Sequence, residues 1–348
     1  MIASDFVALA GRVGLTLALS ILGGFAMNAA GVPAGWLMGG AVVVSIAALM
    51  GAPVVMPIWL RNVTYVLIGM SMGASVPRNS LELIAQWPIT MAALAIELII
   101  IIATTGYMLQ RVFGLDRGTA YLSSFPGHLS FVMGIASAGV GDSRQITIIQ
   151  IIRILMLTIC IPMLALFLPE AHFTAPPAPA PMGLVMLVLY GLACAMVGWI
   201  FHRLKAPAGF VLGAMACGMV AKLNGFIDGS LPEPVVLAGF ILVGALIGAR
   251  FAGITAREFA RAAIGGLIAT GMTVGIVTAI TLIVSLFVDM PFTQLWLGLS
   301  PGALEGMGAL GVALGLDTAF IAAHHVSRLL MLTIAIPLVT YMVRERPN

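Results

Sequence analysis

The sequence is poor in charged residues, and this excludes an ordinary water-soluble domain. Only 8% of the 348 residues are Asp, Glu, Lys or Arg, whereas soluble domains carry about 25%. So few charges cannot cover the surface that a folded chain of this length presents to water. Long apolar stretches recur instead, and about 18 such residues suffice to cross a hydrocarbon layer as a helix. The composition therefore predicts an all-α integral membrane protein.

Cysteine and histidine are also scarce, and their spacing excludes several kinds of site. Cys160, Cys194 and Cys217 lie in apolar segments without motif spacing, so we interpret them as small buried hydrophobic residues. The five histidines show no ligand spacing, and we expect no bound metal. No phosphate-binding loop, catalytic triad or dinucleotide fingerprint occurs in the sequence. We therefore expect no cofactor, and a membrane enzyme is the weakest functional hypothesis.

The two halves of the sequence repeat one pattern. Residues 33–39 (PAGWLMG) reappear as residues 207–213 (PAGFVLG). Further on, the pairs Pro-Gly, Asp, Arg and Pro recur in the same order, and residues 153–162 match residues 328–337 at eight of ten positions. Composition bias could align aliphatic residues, but it would not also align these punctuating residues. We predict a first membrane repeat at 1–168, a Pro- and Ala-rich linker at 169–181, and a second membrane repeat at 182–348.

Each repeat contains six apolar segments, and the loop cations predict how they cross the membrane. If all segments cross, the Lys and Arg residues of the loops divide seven against seven. If the fifth segment of each repeat enters and returns on one side, the second repeat is inverted, and the division becomes twelve against two. Cations accumulate on the cytoplasmic side. The segments are 6–28, 33–51, 57–76, 88–110, 118–140, 143–168, 182–201, 207–223, 234–250, 260–288, 292–315 and 318–343.

The charge division favours two inverted repeats, each with about five transmembrane helices and one re-entrant or broken segment. It places both termini in the cytoplasm and the linker, which has no Lys or Arg, outside. In a bacterial cell the location would be the inner membrane. The fifth segments also carry the helix breakers Ser124-Phe125-Pro126-Gly127 and Leu299-Ser300-Pro301-Gly302. A broken but complete crossing is the alternative to a re-entrant segment.

Three charged residues lie inside apolar segments. Arg153 and Arg328 occupy matching positions, roughly 15 Å deep at about 1.5 Å per helical residue. A charge near the bilayer centre costs at least about 2.5–3.5 kcal/mol on insertion scales, so we predict a functional site there, with a structural ion pair as the alternative. Glu97 has no charged counterpart, because Met272 stands at the matching position. It could neutralise an arginine or carry a proton.

Each Pro-Gly break and its arginine form a candidate half-site for an anion. A helix that starts after a break directs free N–H groups and a positive dipole end toward it. Broken helices at the interface of inverted repeats build the substrate site of many secondary transporters. The alternative is that Pro-Gly only kinks two packed helices. The predicted substrate-binding residues are Pro126, Gly127, His128, Arg153, Pro301, Gly302, Glu305 and Arg328.

Other polar residues near these positions have coupling or structural roles. Asp142 and Asp317 each precede the arginine by eleven residues, or roughly 16 Å of helix, and capping the following helix is their favoured role. His128 and Glu305 lie beside the breaks and could carry a coupled proton or tune specificity. His324 and His325 lie in the last segment, and His325 matches Gln150.

This doubled pattern resembles the bacterial membrane AbrB family over nearly the whole chain. The resemblance rests on S-x-P-G at Ser124 or S-P-G at Ser300, followed by Asp, Arg and Pro in each half. The second half fits better, with His325-x-x-Arg328, although Ala303 replaces a glycine and Gly306 is an extra residue. The first half departs, with His128-Leu129-Ser130 after the break and Gln150 in place of His. The resemblance implies a duplicated membrane domain.

Family members are labelled as regulators of gene expression or as ammonia monooxygenases. No metal cluster that an oxygenase requires is visible in the sequence, and direct binding of nucleic acid would need a basic, water-exposed surface. We therefore favour a secondary transporter that moves a small organic anion, alone or together with protons. A membrane sensor that regulates gene expression indirectly is the second hypothesis. The expected partners are the lipid bilayer and a small anionic solute, and a homodimer is left open.

Overall fold

The protein is built from helices. The computed structural model describes residues 2–76, 87–127, 129–137, 139–165, 180–206, 208–227 and 229–343. Within these ranges all regular structure is helical, apart from one isolated bridge between Pro181 and Ser230. The predicted all-α class is therefore confirmed. His128 and most of the predicted linker lie outside the described residues.

Each predicted apolar segment contains a helix, and the fifth segment of each half contains two. The first half comprises α1 (Ile2–Ala29), α2 (Gly35–Leu49), α3 (Ile58–Ala74), α4 (Trp87–Arg111), α5 (Arg117–Ser124), α6 (Leu129–Ser137) and α7 (Ser143–Ala165). The second half comprises α8 (Leu184–Arg203), α9 (Gly209–Leu223), α10 (Glu233–Ala249), α11 (Ala256–Val284), α12 (Phe292–Leu299), α13 (Leu304–Ala313) and α14 (Thr318–Val343).

Six of these helices are long and apolar enough to cross a membrane. They are α1, α4, α7, α8, α11 and α14. Helix α8 illustrates how a membrane-crossing helix has one buried face and exposes apolar side chains elsewhere. Tyr190, Cys194 and Gly198 are buried at intervals of four residues, which places them on one face, whereas Leu184 and Leu192 are 76% and 64% exposed. Apolar side chains exposed around the rest of a helix fit contact with lipid, so the chain is a multi-pass membrane protein.

The chain forms two compact units, and each draws helices from both halves of the sequence. Unit 1 comprises Met1–Leu83, Thr158–Gly253 and Leu304–Ala322, and it contains α1–α3, α8–α10 and α13. Unit 2 comprises Ile84–Leu157, Ile254–Ala303 and Ala323–Asn348, and it contains α4–α6, α11, α12 and most of α7 and α14.

Unit 1 repeats one helix crossing at matching positions of the two halves. Helices α2 and α9 each follow a left-handed alanine, Ala34 with φ 52° and Ala208 with φ 49°. At Gly39 of α2, an added Cβ atom would lie 2.0 Å from the carbonyl oxygen of Gly23 in α1. At the matching Gly213 of α9, it would lie 2.6 Å from a backbone atom of α8. Glycine therefore permits the backbones of both helix pairs to touch.

We predict that Gly39→Ala separates α1 from α2 and lowers stability. The added methyl group overlaps the Gly23 carbonyl, and overpacking of this kind costs about 1–3 kcal/mol. The thermal unfolding midpoint of the detergent-purified variant should fall below that of the wild type. Gly14→Ala is the matched control, because nothing lies within 4 Å of the Cβ position at Gly14 in α1. An equal midpoint for both variants would contradict the tight crossing.

Candidate functional site

The backbone breaks predicted from Pro-Gly are present in both halves. Four residues separate the end of α5 from the start of α6, and four separate α12 from α13. We call residues 125–128 the first break and residues 300–303 the second break. Phe125 and Ser300 open the two breaks with extended backbone, at ψ 122° and ψ 132°. Gly127 has φ 128°, a conformation that only glycine adopts without strain.

Arg153 and Arg328 bind the backbone carbonyl groups at the breaks. In α7, Nη2 of Arg153 donates to the carbonyl of Phe125 at 2.9 Å, and Nη1 lies 3.5 Å from the carbonyl of Ser123. In α14, Arg328 donates to the carbonyls of Ser300 at 2.7 Å and Gly302 at 2.9 Å. An unpaired carbonyl group in a membrane interior costs several kcal/mol. The two guanidinium groups therefore stabilise the breaks in which they were predicted to act.

Several buried polar groups near the breaks remain without a hydrogen-bond partner among the described residues. The Nε–H group of each of the two arginines has no hydrogen-bond partner among the described residues. The same holds for the hydroxyl of Ser123, in the last turn of α5, whose side chain is buried. All three groups belong to unit 2. Each of the three groups can donate a hydrogen bond.

Glu97 supplies one negative charge to this unit. Its side chain, in α4, is fully buried, and neither carboxylate oxygen has a hydrogen-bond partner among the described residues. The Glu97 carboxylate and the Arg328 guanidinium lie within electrostatic range of each other, and Arg328 also repels Arg153. Among the described residues of unit 2, these are the buried Asp, Glu, Lys and Arg side chains. Two arginines and one glutamate give a formal charge of +1.

A polar side-chain contact joins α4 and α14. Nε2 of His324 in α14 is 2.7 Å from the hydroxyl oxygen of Thr90 in α4, and both side chains are buried. The ring of Trp87 lies 6.3 Å from the imidazole ring, centroid to centroid. His324 precedes Arg328 by one helical turn, and Thr90 precedes Glu97 by two turns. The contact between His324 and Thr90 therefore places the residue one turn before Arg328 beside the residue two turns before Glu97.

Glu305 belongs to a separate cluster in unit 1. In the first turn of α13, it forms an ion pair with Arg250, the residue that ends α10. Arg250 also interacts with Tyr65 of α3 through a side-chain hydrogen bond. Glu305 is 7% exposed. Its carboxylate has a partner within unit 1, and it serves there to hold the start of α13.

The two aspartates cap helices, in the role that the sequence favoured. Oδ1 of Asp142 accepts from the backbone N–H groups of Arg144 at 2.8 Å and Gln145 at 3.2 Å. Asp317 accepts from the N–H groups of Ala319 at 2.9 Å and Phe320 at 3.4 Å. The buried position of Asp317 distinguishes it from its counterpart.

The structure thus brings together part of the predicted set. Glu97 and Arg153 each interact electrostatically with Arg328. His324 lies one helical turn before Arg328. Pro126 and Gly127 lie in the first break, and Pro301 and Gly302 lie in the second. Glu305 and Asp317 belong to unit 1, His325 is buried in α14, and His128 lies outside the described residues.

Three polar residues of these clusters were missed by the sequence reasoning: Ser123, Thr90 and Arg250. Ser123 had a usable signal, because it adjoins the breaker motif in an apolar segment. Thr90 had none, since a single threonine in a membrane helix usually bonds its own backbone. Arg250 was counted only as a loop cation.

Comparisons with known proteins agree on one family. The family model described as "Transition state regulatory protein AbrB" matches residues 36–344. A protein of Bacillus subtilis (strain 168), named "Uncharacterized protein YhjN", is 24% identical and aligns with 92% of this chain and 90% of its own length. A protein of Escherichia coli (strain K12), named "Putative regulator AbrB", is 23% identical over 95% of this chain and 96% of its own length.

We predict that Arg328→Lys destabilises the protein although it keeps the charge. A lysine ammonium is a compact point donor and cannot reproduce the fork that reaches Ser300 and Gly302 together. A buried carbonyl left unpaired costs about 1–3 kcal/mol. The thermal midpoint in detergent should therefore fall. Arg117→Lys at the exposed start of α5 is the matched control, with a change within about 0.5 kcal/mol. Equal midpoints for the two variants would show that the bidentate contact is dispensable.

Proposed function

The chain belongs to the AbrB family, and on that premise we propose that it is a secondary transporter of a small organic anion. The supporting observation is the buried charge of unit 2, where two arginines and one glutamate are the buried charged side chains among the described residues. A charge buried without full compensation is expensive, and inside a membrane it marks a substrate or ion pathway by default. A bound anion would remove the excess positive charge. Guanidinium groups suit carboxylate-bearing solutes, because their donors match carboxylate geometry.

A neighbouring side chain supports this interpretation of the arginines. Nε2 of Gln150, three residues before Arg153, donates to the carbonyl of Leu122 at 3.1 Å, near the end of α5. A neutral amide therefore satisfies a backbone carbonyl beside the first break. Donating a hydrogen bond to a backbone carbonyl at a break therefore does not by itself require a positively charged side chain. The charge on Arg153 and Arg328 needs a further reason, and anion binding provides one.

The helix ends at the breaks add to the site. Helix α6 starts directly after the first break, and its first N–H groups have no partner within the helix. These groups and the positive end of the helix dipole favour negative charge at the break. Secondary transporters use broken helices in this way near the middle of the membrane.

We propose ten membrane crossings in two inverted repeats, with both termini in the cytoplasm of a bacterial cell and the protein in its inner membrane. The support is the twelve-to-two division of loop cations, and the length of the broken helices. Helices α5, α6, α12 and α13 contain 8, 9, 8 and 10 residues. At about 1.5 Å per residue, each reaches roughly half of a 30 Å hydrocarbon layer, as a re-entrant pair requires.

This topology predicts that Arg117 and Arg257 face the cytoplasm together. Single cysteines would replace each arginine in a chain whose three native cysteines are changed to alanine. A membrane-impermeant thiol reagent should label both positions only in inside-out vesicles. A cysteine at Ala180 is the opposite control and should react in right-side-out vesicles. Labelling of Arg117→Cys and Arg257→Cys from opposite faces would contradict the inverted repeats.

Anion binding can be tested directly with purified protein. We expect at least one of sodium acetate, lactate, succinate or L-glutamate to raise the thermal midpoint relative to sodium chloride. A ligand at 100 times its Kd stabilises by about 2.7 kcal/mol. Arg153→Lys and Arg328→Lys should lose this increment, and Arg117→Lys should retain it. The anion that binds should also enter proteoliposomes in a protein-dependent manner.

A second function, a membrane sensor that regulates gene expression, is favoured by the name of the Escherichia coli relative, "Putative regulator AbrB". Such a sensor could use the same anion site. Binding without protein-dependent flux in proteoliposomes would favour the sensor. Flux that disappears in both arginine variants would favour the transporter.

A further inference from the structure

Among the described residues, Glu97 has no hydrogen-bonding role that explains its burial. Its carboxylate oxygens accept no hydrogen bond among the described residues, so it neither caps a helix nor closes a break. A buried ionised carboxylate without hydrogen bonds is costly, and a protonated one is much less so. The side chain therefore fits a group that changes its protonation state during a working cycle.

We propose that Glu97 is the proton-binding residue of the transporter, and that its carboxylate and the substrate anion alternate as the partner of Arg328. Each bound anion then arrives with one proton. This inference rests on the proposed function, because it presupposes an anion site at the arginines. It adds the coupling ion, the residue that binds it and the stoichiometry.

The charges of unit 2 show why the two binding events would be linked. In the empty state, Glu97 is ionised and the buried charge is +1. An anion alone would place two negative groups at one guanidinium, and like charges repel strongly in a medium of low dielectric. A proton alone would raise the buried charge to +2, with no carboxylate facing Arg328. With a monoanion and a proton bound, the charge is again +1.

The surroundings of Glu97 support Arg328 as its controlling partner. Helices α5, α11 and α12 pack against α4. Their buried residues include no Asp, Glu, Lys, Arg or His. Tyr121 of α5 packs beside Gly106, more than two turns along α4 from Glu97. On α14, the titratable groups are His324, His325 and Arg328, and of these Arg328 exerts the electrostatic effect on Glu97.

The repeat sets the stoichiometry. The position that matches Glu97 in the second half is Met272 of α11. Among the described residues, Glu97 is the buried acidic side chain of unit 2, and the charge that acts on Arg153 is that of Arg328. Because there is one carboxylate for two arginines, one arginine can exchange its carboxylate for the substrate anion in each cycle. Each cycle therefore takes up one proton, on that carboxylate. Transport of a monoanion would then be electrically neutral.

Proton uptake on anion binding tests this proposal. Full-length protein in detergent would be held in weak buffer with a pH indicator, over a series of alkaline pH values. The probe is whichever of acetate, lactate, succinate or L-glutamate gives the largest thermal shift. The wild type should take up about one proton per bound anion, and the Kd should rise about tenfold per pH unit while Glu97 is ionised. Glu97→Gln should bind the anion with no uptake and with a Kd independent of pH.

Two further variants control for loss of folding and for the removal of a carboxyl group elsewhere in the protein. Glu97→Asp retains a carboxyl group and should still take up a proton, which separates titration from folding if the glutamine variant is unstable. Glu233→Gln removes an exposed carboxyl group at the start of α10 and should behave as the wild type.

The outcomes separate the two proposals. Anion binding by the wild type without proton uptake, or equal uptake by Glu97→Gln, would overturn the role of Glu97 and leave the anion site intact. Failure of all four anions to bind the wild type would overturn the proposed function, and the coupling with it. Uptake by the wild type and Glu97→Asp, but not by Glu97→Gln, would support both.

Discussion

A polypeptide that interrupts a helix inside an apolar layer must find donors for the exposed carbonyl groups, and this requirement organises the site. Water is not available there, so the donors must come from the protein. Arg153 and Arg328 meet the need by reaching from α7 and α14 to the ends of α5 and α12. The packing around the first break follows from this contact. Phe125, whose carbonyl accepts from Arg153, lies in an apolar cluster of unit 2 with Leu122, Val132 and Leu332.

The use of arginine has an electrostatic consequence that a neutral donor would not have. Gln150 satisfies the carbonyl of Leu122 with an amide, whereas the arginines bring two positive charges into the same unit. Among the described residues, Arg328 interacts electrostatically with Glu97, and the charge that acts on Arg153 is that of Arg328. A bound anion is the proposed compensation for this buried positive charge.

Much of this arrangement could be predicted from the sequence, because the signals were local. The apolar segments became helices, and the Pro-Gly pairs became breaks, since proline lacks an N–H group and, at Gly127, glycine adopts a positive φ. The aspartates became caps. The long-range contacts could not be predicted in the same way. That Glu97 faces Arg328, or that Glu305 pairs with Arg250, depends on which helices lie side by side, and periodicity within one helix does not reveal its neighbour.

The two halves of the chain differ in the residues that a transport cycle would use. Where they agree, as at Gly39 and Gly213, the matching residues allow helices to touch, and both copies need the same small side chain. Two of the differences near the site involve polar residues: Glu97 stands against Met272, and Gln150 stands against His325. Two identical half-sites would bind two anions equally and carry no information about a coupling ion. With a break and an arginine in both halves, but an acidic residue at the matching position of only one, the proposed coupled cycle would have a single exchangeable charge.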